Sequence, residues 1–559
     1  MFRKIGLLVV CMILSASSGI AQKLDTGPQV LSIFSNIDDS EQPYGLYLPK
    51  DFKSDRKYPL VIMLHGAWSN HRLALRRVFG KSNQGGETDV EATRYFPPWD
   101  DIDYIVATPL ARGTMGYQGV AEKDVYDVLA DVERRFPIDS NRVYLTGLSM
   151  GGGGTLWIGL TRPDIWAAIA PVCPAPPREA EEFAPNALNI PVAIFQGGAD
   201  PVVAPDSTRA WVKRLKDLET TVEYTEYPGV GHNSWENAYK DEQIFKWFSQ
   251  YTRDPYPPRV RFVTDRYKYS SAYWVTIDQL TPGVLASVDA RFARTNQIEI
   301  VSSNTNAFTF YLGGHPMFDP GMPLRIRING QAISVGTDGT ITFINRDNKW
   351  YVGTYDLPVH SKVRDAEGPL SEAFASRHVY VFGTEGVNNL AAVAGRRAEA
   401  DAVSKWQGFT PLLYFPRVIA DREVRESDYE SSNLILFGNR ETNSVIAKLA
   451  DRLPVQLNPA DTSYGLVYIY PVGRHYVVVC SGKPWWPVND STSKALFAKS
   501  SLRFMSGPIS LIMGDDDYIF YKGSMDDVIA SGRFDDTWQV PAADATKMEL
   551  TGQVNFTDR

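Results

Sequence analysis

Ser149 stands in Gly147-Leu148-Ser149-Met150-Gly151, between a β-branched and aromatic run, Val143-Tyr144-Leu145-Thr146, and an apolar segment of helical spacing that reaches Leu160. A strand that turns sharply into a helix around a G-x-S-x-G pattern lifts the serine hydroxyl clear of the sheet and presents it for nucleophilic attack. Glycines fill positions 151 to 154. Each costs up to about 1 kcal/mol in a helix interior, so the run predicts close packing of this helix against its neighbours. A phosphate-cradling loop would place a lysine before Ser or Thr, and Gly154-Thr155 has none.

A serine hydroxyl is a poor nucleophile until a base takes its proton. Of the seven histidines, His232 is the predicted base. It follows a strand-like run and sits between glycine-rich turns, where the ring can swing over the strand ends. The imidazole needs an acid to fix its tautomer and stabilise its cation. Asp200, directly after the run Val192-Ala193-Ile194-Phe195-Gln196-Gly197, is the predicted acid. Asp206 is the competitor and reads instead as a cap for a helix beginning at Ser207. The oxyanion needs backbone donors. These are predicted to be the amide of Met150 and one from the loop after Leu64, that of Ala67 or Trp68, with His65 shaping the loop. Trp68, Trp99, Tyr117 and Trp235 fall near the expected strand ends and could stack on an aromatic ring or a sugar face; wall and core packing is the alternative for each.

Such a site needs a rigid sheet. From about Gln29 to Tyr251 short apolar runs such as Tyr58–Leu64 and Tyr104–Leu110 alternate with segments of helical period such as Gly119–Phe136, which predicts a parallel sheet covered by helices. Asp254-Pro255-Tyr256-Pro257-Pro258 breaks the pattern. Short alternating stretches then predict an antiparallel β-module, a sandwich, and a second, smaller open α/β unit of flavodoxin-like rhythm follows. The expected division is 1–21 leader, 22–253 catalytic domain, 254–362 β-module and 363–559 second α/β module with its tail. Gly383-Thr384-Glu385-Gly386 lacks the spacing of a dinucleotide loop. Asp515-Asp516-Asp517 lacks that of a calcium loop and reads as a solvated turn.

The 559 residues, 44% hydrophobic and 22% charged, suit two or three globular domains. A net charge of −8 without a basic stripe argues against nucleic acid and anionic lipid as partners. Arg3 and Lys4, the apolar run Ile5–Leu14, and Gly19 and Ala21 before Gln22 read as a cleaved secretory signal peptide. Export to the periplasm or beyond is the expectation, with no membrane association after cleavage. The cysteines left, Cys173 and Cys480, make neither a disulfide framework nor a metal-ligand cluster, and no metal or cofactor is expected. The oligomeric state is not legible.

Leu64-His65-Gly66-Ala67-Trp68, Gly147-Leu148-Ser149-Met150-Gly151-Gly152, Gly197-Gly198-Ala199-Asp200-Pro201-Val202-Val203 and Gly229-Val230-Gly231-His232-Asn233-Ser234-Trp235, in that order, resemble the α/β-hydrolase superfamily. Within it they resemble the branch of feruloyl and acetylxylan esterases, polyhydroxyalkanoate depolymerase-like esterases and the catalytic domains of prolyl oligopeptidase-type peptidases. The resemblance covers residues 40–250. It implies an N-terminal α/β-hydrolase domain, acyl transfer through a serine ester, and the chain order nucleophile, acid, histidine, which Ser149, Asp200 and His232 follow and His65 does not. The remainder resembles the C-terminal parts of secreted bacterial hydrolases, which speaks to fold and not to substrate.

The hydrolase pattern begins close to the expected cleavage point, leaving no room for the propeller that filters peptides in prolyl oligopeptidases. An exported esterase acting on acylated plant polysaccharide, removing feruloyl or acetyl groups, is therefore the leading expectation. A prolyl oligopeptidase-like peptidase is the alternative; an aminopeptidase would need acids such as Glu87, Asp89 or Glu91 to hold the substrate amine. A non-catalytic glycan-binding protein is the alternative from another class, and it would require a missing triad member.

Overall fold

The computed structural model describes residues 25–557 apart from 337, 356, 358, 359, 386–389, 406–413, 459–462 and 486–513. The expected leader, residues 1–21, lies outside the described residues, as does Gly386. Among the described residues no helix is long and apolar enough to cross a membrane.

The first eight strands form one sheet: β1 (Gly27–Ser35), β2 (Ser40–Leu48), β3 (Tyr58–Leu64), β4 (Ile105–Pro109), β5 (Ile138–Leu148), β6 (Ala168–Val172), β7 (Val192–Gly197) and β8 (Val222–Tyr227). Their order across the sheet is β1-β2-β4-β3-β5-β6-β7-β8. Strands β3 to β8 are parallel, and β1 and β2 add an antiparallel edge. Strands β3, β4 and β6 are buried at every residue, as strands covered on both faces must be. Helices α1 (His71–Val78), α2 (Asp89–Ala92), α3 (Val120–Arg135), α4 (Met150–Thr161), α5 (Pro205–Asp217), α6 (Trp235–Ala238) and α7 (Gln243–Phe248) complete this unit. One core packs Val128 of α3, Leu156 of α4 and Leu215 of α5. The other packs Val78 of α1 with Phe79, Phe245 and Phe248.

Residues 259–352 form two five-stranded sheets. One comprises β9 (Arg259–Thr264), β12 (Ala286–Arg294), β13 (Gln297–Ser303), β15 (Leu324–Ile328) and β16 (Gln331–Val335). The other comprises β10 (Ser271–Ala272), β11 (Val275–Leu280), β14 (Thr305–Tyr311), β17 (Thr340–Arg346) and β18 (Lys349–Val352). Trp274, Phe308 and Phe310 share one core with Val288, Ile300 and Ile326, the two-layer logic of a sandwich. The pairing is antiparallel except between β13 and β15.

The third unit contains α8 (Leu370–Phe374), β19 (His378–Phe382), α9 (Leu390–Ser404), β20 (Arg417–Ala420), α10 (Glu426–Ser431), β21 (Asn433–Phe437), α11 (Ser444–Leu449), β22 (Val455–Leu457), β23 (Tyr464–Val472), β24 (His475–Gly482), β25 (Tyr518–Lys522), β26 (Val528–Gly532) and β27 (Val554–Phe556). Its main sheet runs β20-β19-β21-β24-β23-β25-β26. The first four strands are parallel, as a flavodoxin-like rhythm predicts, but β23, β25 and β26 extend the sheet in antiparallel pairs. The reason is local: Gly473, at φ 68°, closes a tight hairpin between β23 and β24, where a parallel crossover would need a dozen residues or more.

Polar contacts join the three units. The Asn186 side chain donates to the carbonyls of Leu160 and Val263 and accepts from the Val263 amide. The Tyr269 hydroxyl lies 2.7 and 2.8 Å from the two Glu122 carboxylate oxygens. Lys268 reaches Glu122 at 3.4 Å and Glu372 at 3.2 Å, and Arg377 grips Asp39 through two nitrogens.

Candidate active site

Strand β5 ends at Leu148 and α4 begins at Met150, so Ser149 is the whole of the turn between them. Its φ of 56° and ψ of −118° lie where a residue with a side chain is strained. The surroundings hold it there: the Ser149 amide donates to Val172 at 2.9 Å, and its carbonyl accepts from Gly153 at 2.9 Å and Ala175 at 3.2 Å. The glycine run follows from the same crowding. A methyl on Gly151 would land on the Leu64 and His65 carbonyls, and one on Gly153 on the Ala175 carbonyl. Only a helix without side chains on this face can approach the sheet closely enough to hold the turn.

The structure brings Ser149, His232 and Asp200 together. His232 Nε2 lies 2.9 Å from Ser149 Oγ, and Nδ1 lies 2.8 Å from Asp200 Oδ2. Asp200 follows β7 and its carboxylate is buried. Oδ1 accepts from the amides of Val202 at 2.8 Å and Val203 at 3.0 Å, and Oδ2 also accepts from Gln196 Nε2 at 3.1 Å. These bonds hold a charged acceptor toward the imidazole. The loop carrying His232 is tied to the one carrying Asp200, because the Ala199 amide donates to Val230 at 2.9 Å. With Asp200 accepting from Nδ1–H, Nε2 is left as the acceptor for the serine proton. The imidazole side chain remains 21% exposed, so the site is open to substrate.

Asp206 is elsewhere. Helix α5 begins at Pro205, two residues earlier than expected, and Asp206 makes no capping bond. Its carboxylate pairs with Arg209 at 2.6 Å on the surface. The proline fixes the helical φ at the first position and leaves no amide there to cap.

Of the amides predicted to face an oxyanion, those of Met150 and Ala67 have no protein hydrogen-bond partner among the described residues. The Met150 amide is in the first turn of α4, where no carbonyl of the helix can reach it. The Ala67 loop lies against the turn, since a Cβ on Gly66 would fall 3.5 Å from that of Ser149. The Trp68 amide differs from expectation: it donates to Thr114 Oγ1 at 2.8 Å. His65 is buried with its ring nitrogens on the Gly66 and Leu110 carbonyls at 2.7 and 2.8 Å, and burial holds its pKa below the ordinary range. It shapes the loop.

The four aromatic residues separate. Trp68 is 72% exposed, and Trp235 stands edge-on to His232 with ring centres 5.5 Å apart. Tyr117 is not a substrate surface: it is buried under Gly154, and its hydroxyl donates to the His65 carbonyl at 2.9 Å. The Trp99 ring stacks on Phe79 at 4.8 Å and belongs to the core.

The acids considered for an amine clamp already have partners. Glu87 accepts from Tyr95 and Arg76, Asp89 from Arg77 and Asn83, and Glu91 closes a capping box with Thr88. Asp515 pairs with Arg266 and Arg533, and Asp517 with the buried Lys362, so ion pairing explains this run better than a solvated turn.

Three neighbours of the site were not foreseen. Gln196 is buried on β7 and links Asp200 to Thr208; a lone amide in an apolar strand was its signal. Cys173 and Ser234 are buried beside the triad. Burial pushes the Cys173 thiol up to about 12, so it stays neutral and does not rival Ser149. Cys173 and Cys480 are both free.

Residues 94–246 match the family described as Phospholipase/Carboxylesterase. The chain is similar to a "Poly(3-hydroxybutyrate) depolymerase" of Ralstonia pickettii, 32% identical over 115 residues, 20% of this chain and 20% of that protein. It is also similar to a "Probable carboxylesterase SOBER1-like" of Arabidopsis thaliana, 28% identical over 142 residues, 24% of this chain and 53% of that protein. The matches thus span between a fifth and about half of these relatives. Among solved structures, a thermostable esterase is 26% identical with a TM-score of 0.33, covering 40% of this chain and 63% of its own. A ferulic acid esterase is 20% identical with a TM-score of 0.33, covering 40% and 98%.

Proposed function

We propose, from the premise that the N-terminal unit of this chain is an esterase-type α/β-hydrolase of the serine hydrolase superfamily, that the protein is an exported carboxylic-ester hydrolase that removes feruloyl or acetyl groups from plant polysaccharide. The observation that carries the hydrolytic part is the hydrogen-bonded chain from Ser149 through His232 to Asp200 at a strained strand-to-helix turn. In this reading Ser149 Oγ attacks the ester carbonyl carbon while His232 Nε2 takes its proton, and Asp200 stabilises the imidazolium. The carbonyl oxygen becomes an oxyanion held by the Met150 and Ala67 amides. Collapse expels the sugar hydroxyl, which receives the proton from His232, and leaves an acyl group on Ser149. Water, deprotonated by the same imidazole, then releases the acid and restores the serine.

The substrate class rests on the aromatic surface at the triad. Trp235, edge-on to His232, and exposed Trp68, two residues past Gly66 at the Ser149 turn, offer flat apolar surface suited to an aromatic acyl group or a sugar face. The internal partners of Glu87, Asp89 and Glu91 weigh against an amine clamp and so against aminopeptidase action. Export rests on the charge and hydropathy of residues 1–21.

The test is hydrolysis of methyl ferulate, acetylated xylan and a prolyl chromogenic peptide by purified protein, with Ser149→Ala as blank. Serine-dependent turnover of either ester without peptide cleavage is the expected result. Peptide cleavage alone would place the protein among peptidases.

A further inference from the structure

Beneath the reacting atoms lies a second set of donors. Cys173 is the residue after β6. Its backbone is in the left-handed region at φ 38°, and its amide donates to the Phe195 carbonyl at 2.8 Å. That conformation is uncommon for a residue with a side chain, and here it accompanies a thiol buried beside the imidazole and the carboxylate. One ligand atom each from Cys173, Asp200 and His232 lie within 4.8 Å of one another. The Ser234 hydroxyl is fully buried against the Cys173 thiol and so adds a further oxygen to the same spot.

We propose that Cys173, His232 and Asp200 form an inhibitory site for Zn²⁺. One sulfur, one imidazole nitrogen and one carboxylate oxygen are a donor set for a tetrahedral, thiophilic d¹⁰ cation. Mg²⁺ and Ca²⁺ want more ligands, all of them oxygen. The fourth position falls to water or to the Ser234 hydroxyl beside the thiol.

The protons decide the consequence. On binding, the Cys173 thiol releases its proton to solvent and the sulfur bonds the metal. The imidazole keeps one proton but moves it from Nδ1 to Nε2, freeing Nδ1 for the metal, and Asp200 Oδ2 turns from Nδ1–H to the cation. Nε2 then carries a hydrogen and donates toward Ser149 Oγ where it formerly accepted. The base is lost while Ser149 is untouched and its ester chemistry stops.

The inhibition rests on the proposed roles of Ser149 and His232; the binding does not, so the two are measured separately on the full chain. Zn²⁺ binding is read by competition with a chromophoric zinc indicator, and inhibition by p-nitrophenyl acetate hydrolysis and fluorophosphonate labelling in chelator-buffered Zn²⁺. The expected result is one bound ion per chain, inhibition at the same midpoint as binding, and full reversal by EDTA. In Cys173→Ala, which keeps the metal-free rate, the midpoint rises at least about tenfold, the smaller loss typical when only an outer-shell partner of a ligand is removed. Cd²⁺ adds a thiolate-to-metal charge-transfer band in the wild type alone. Cys173→Ser gives the same readouts if the alanine variant does not fold. Absence of binding, or equal binding and inhibition with and without the thiol, overturns the site. Cys173-dependent binding in a protein that hydrolyses no ester supports the metal site and removes the hydrolase reading.

Discussion

His232 Nδ1 lies 2.8 Å from Asp200 Oδ2, and the other oxygen of that carboxylate is held by the amides of Val202 and Val203. The acid is thus anchored by its own loop through Oδ1, which leaves Oδ2 facing the imidazole. Asp200→Asn keeps the shape but favours the tautomer with hydrogen on Nε2. Steady-state kinetics on p-nitrophenyl acetate should show kcat falling about 10⁴-fold with little change in KM. A loss of tenfold or less would mean that Asp200 does not orient the base.

Two glycines in helices should respond oppositely to a methyl group. Gly153→Ala drives a methyl into the Ala175 carbonyl and should cost about 1–3 kcal/mol, the usual range for overpacking, with loss of the strained turn and of activity. Gly395→Ala, on α9 with open space around the site of the new methyl, should gain about 0.5–1 kcal/mol from helix propensity. Urea unfolding of both variants checks the pair, and equal effects would refute the packing argument.

The contact between the first two units has a single-atom test. Tyr269→Phe removes the hydroxyl that donates to Glu122 and leaves a buried carboxylate short of a partner. A loss of about 1–3 kcal/mol is expected, read from the denaturation midpoint. Tyr311→Phe, at a half-exposed ring, is the control and should be neutral.

Burial pushes the Glu399 carboxyl up to about 8 from an ordinary 4.5. The folded state therefore binds this proton more tightly than the unfolded chain does. Its stabilising contribution is complete below about pH 4.5 and is lost as pH rises through about 8. Glu399→Gln, which imitates the protonated form, should flatten the fall in Tm between those limits. Parallel Tm profiles for wild type and variant would show that the carboxyl does not titrate there.

Much of the site could be read from residue order, because its chemistry is local to three turns. Gly147 to Gly151 announces a strained turn between a strand and a helix, Asp200 follows a strand that ends in Gly197, and His232 follows a strand with Gly229 and Gly231 just beyond its end. What escaped depends on the path of loops. The Trp68 amide is spent on Thr114, 46 residues away, which no spacing rule reveals. Trp99 and Tyr117 have the composition of a binding surface, yet their rings serve the core. In the third unit the alternation of strands and helices predicted parallel pairing, but the hairpin at Gly473 reversed the chain within two residues. Cys173 belongs to no metal-ligand spacing in the sequence, because a cysteine after a strand carries no sign of the residues that other loops bring beside it.

In this mechanism Ser149 becomes an ester in the course of turnover. The direct measurement is rapid acid quench of the enzyme during p-nitrophenyl acetate hydrolysis, followed by peptide mass spectrometry. The expected result is an acetyl group on the peptide carrying Ser149, formed in a burst in the wild type and absent from His232→Ala. Steady turnover with Ser149 unmodified at every quench time, or undiminished in Ser149→Ala, would contradict it.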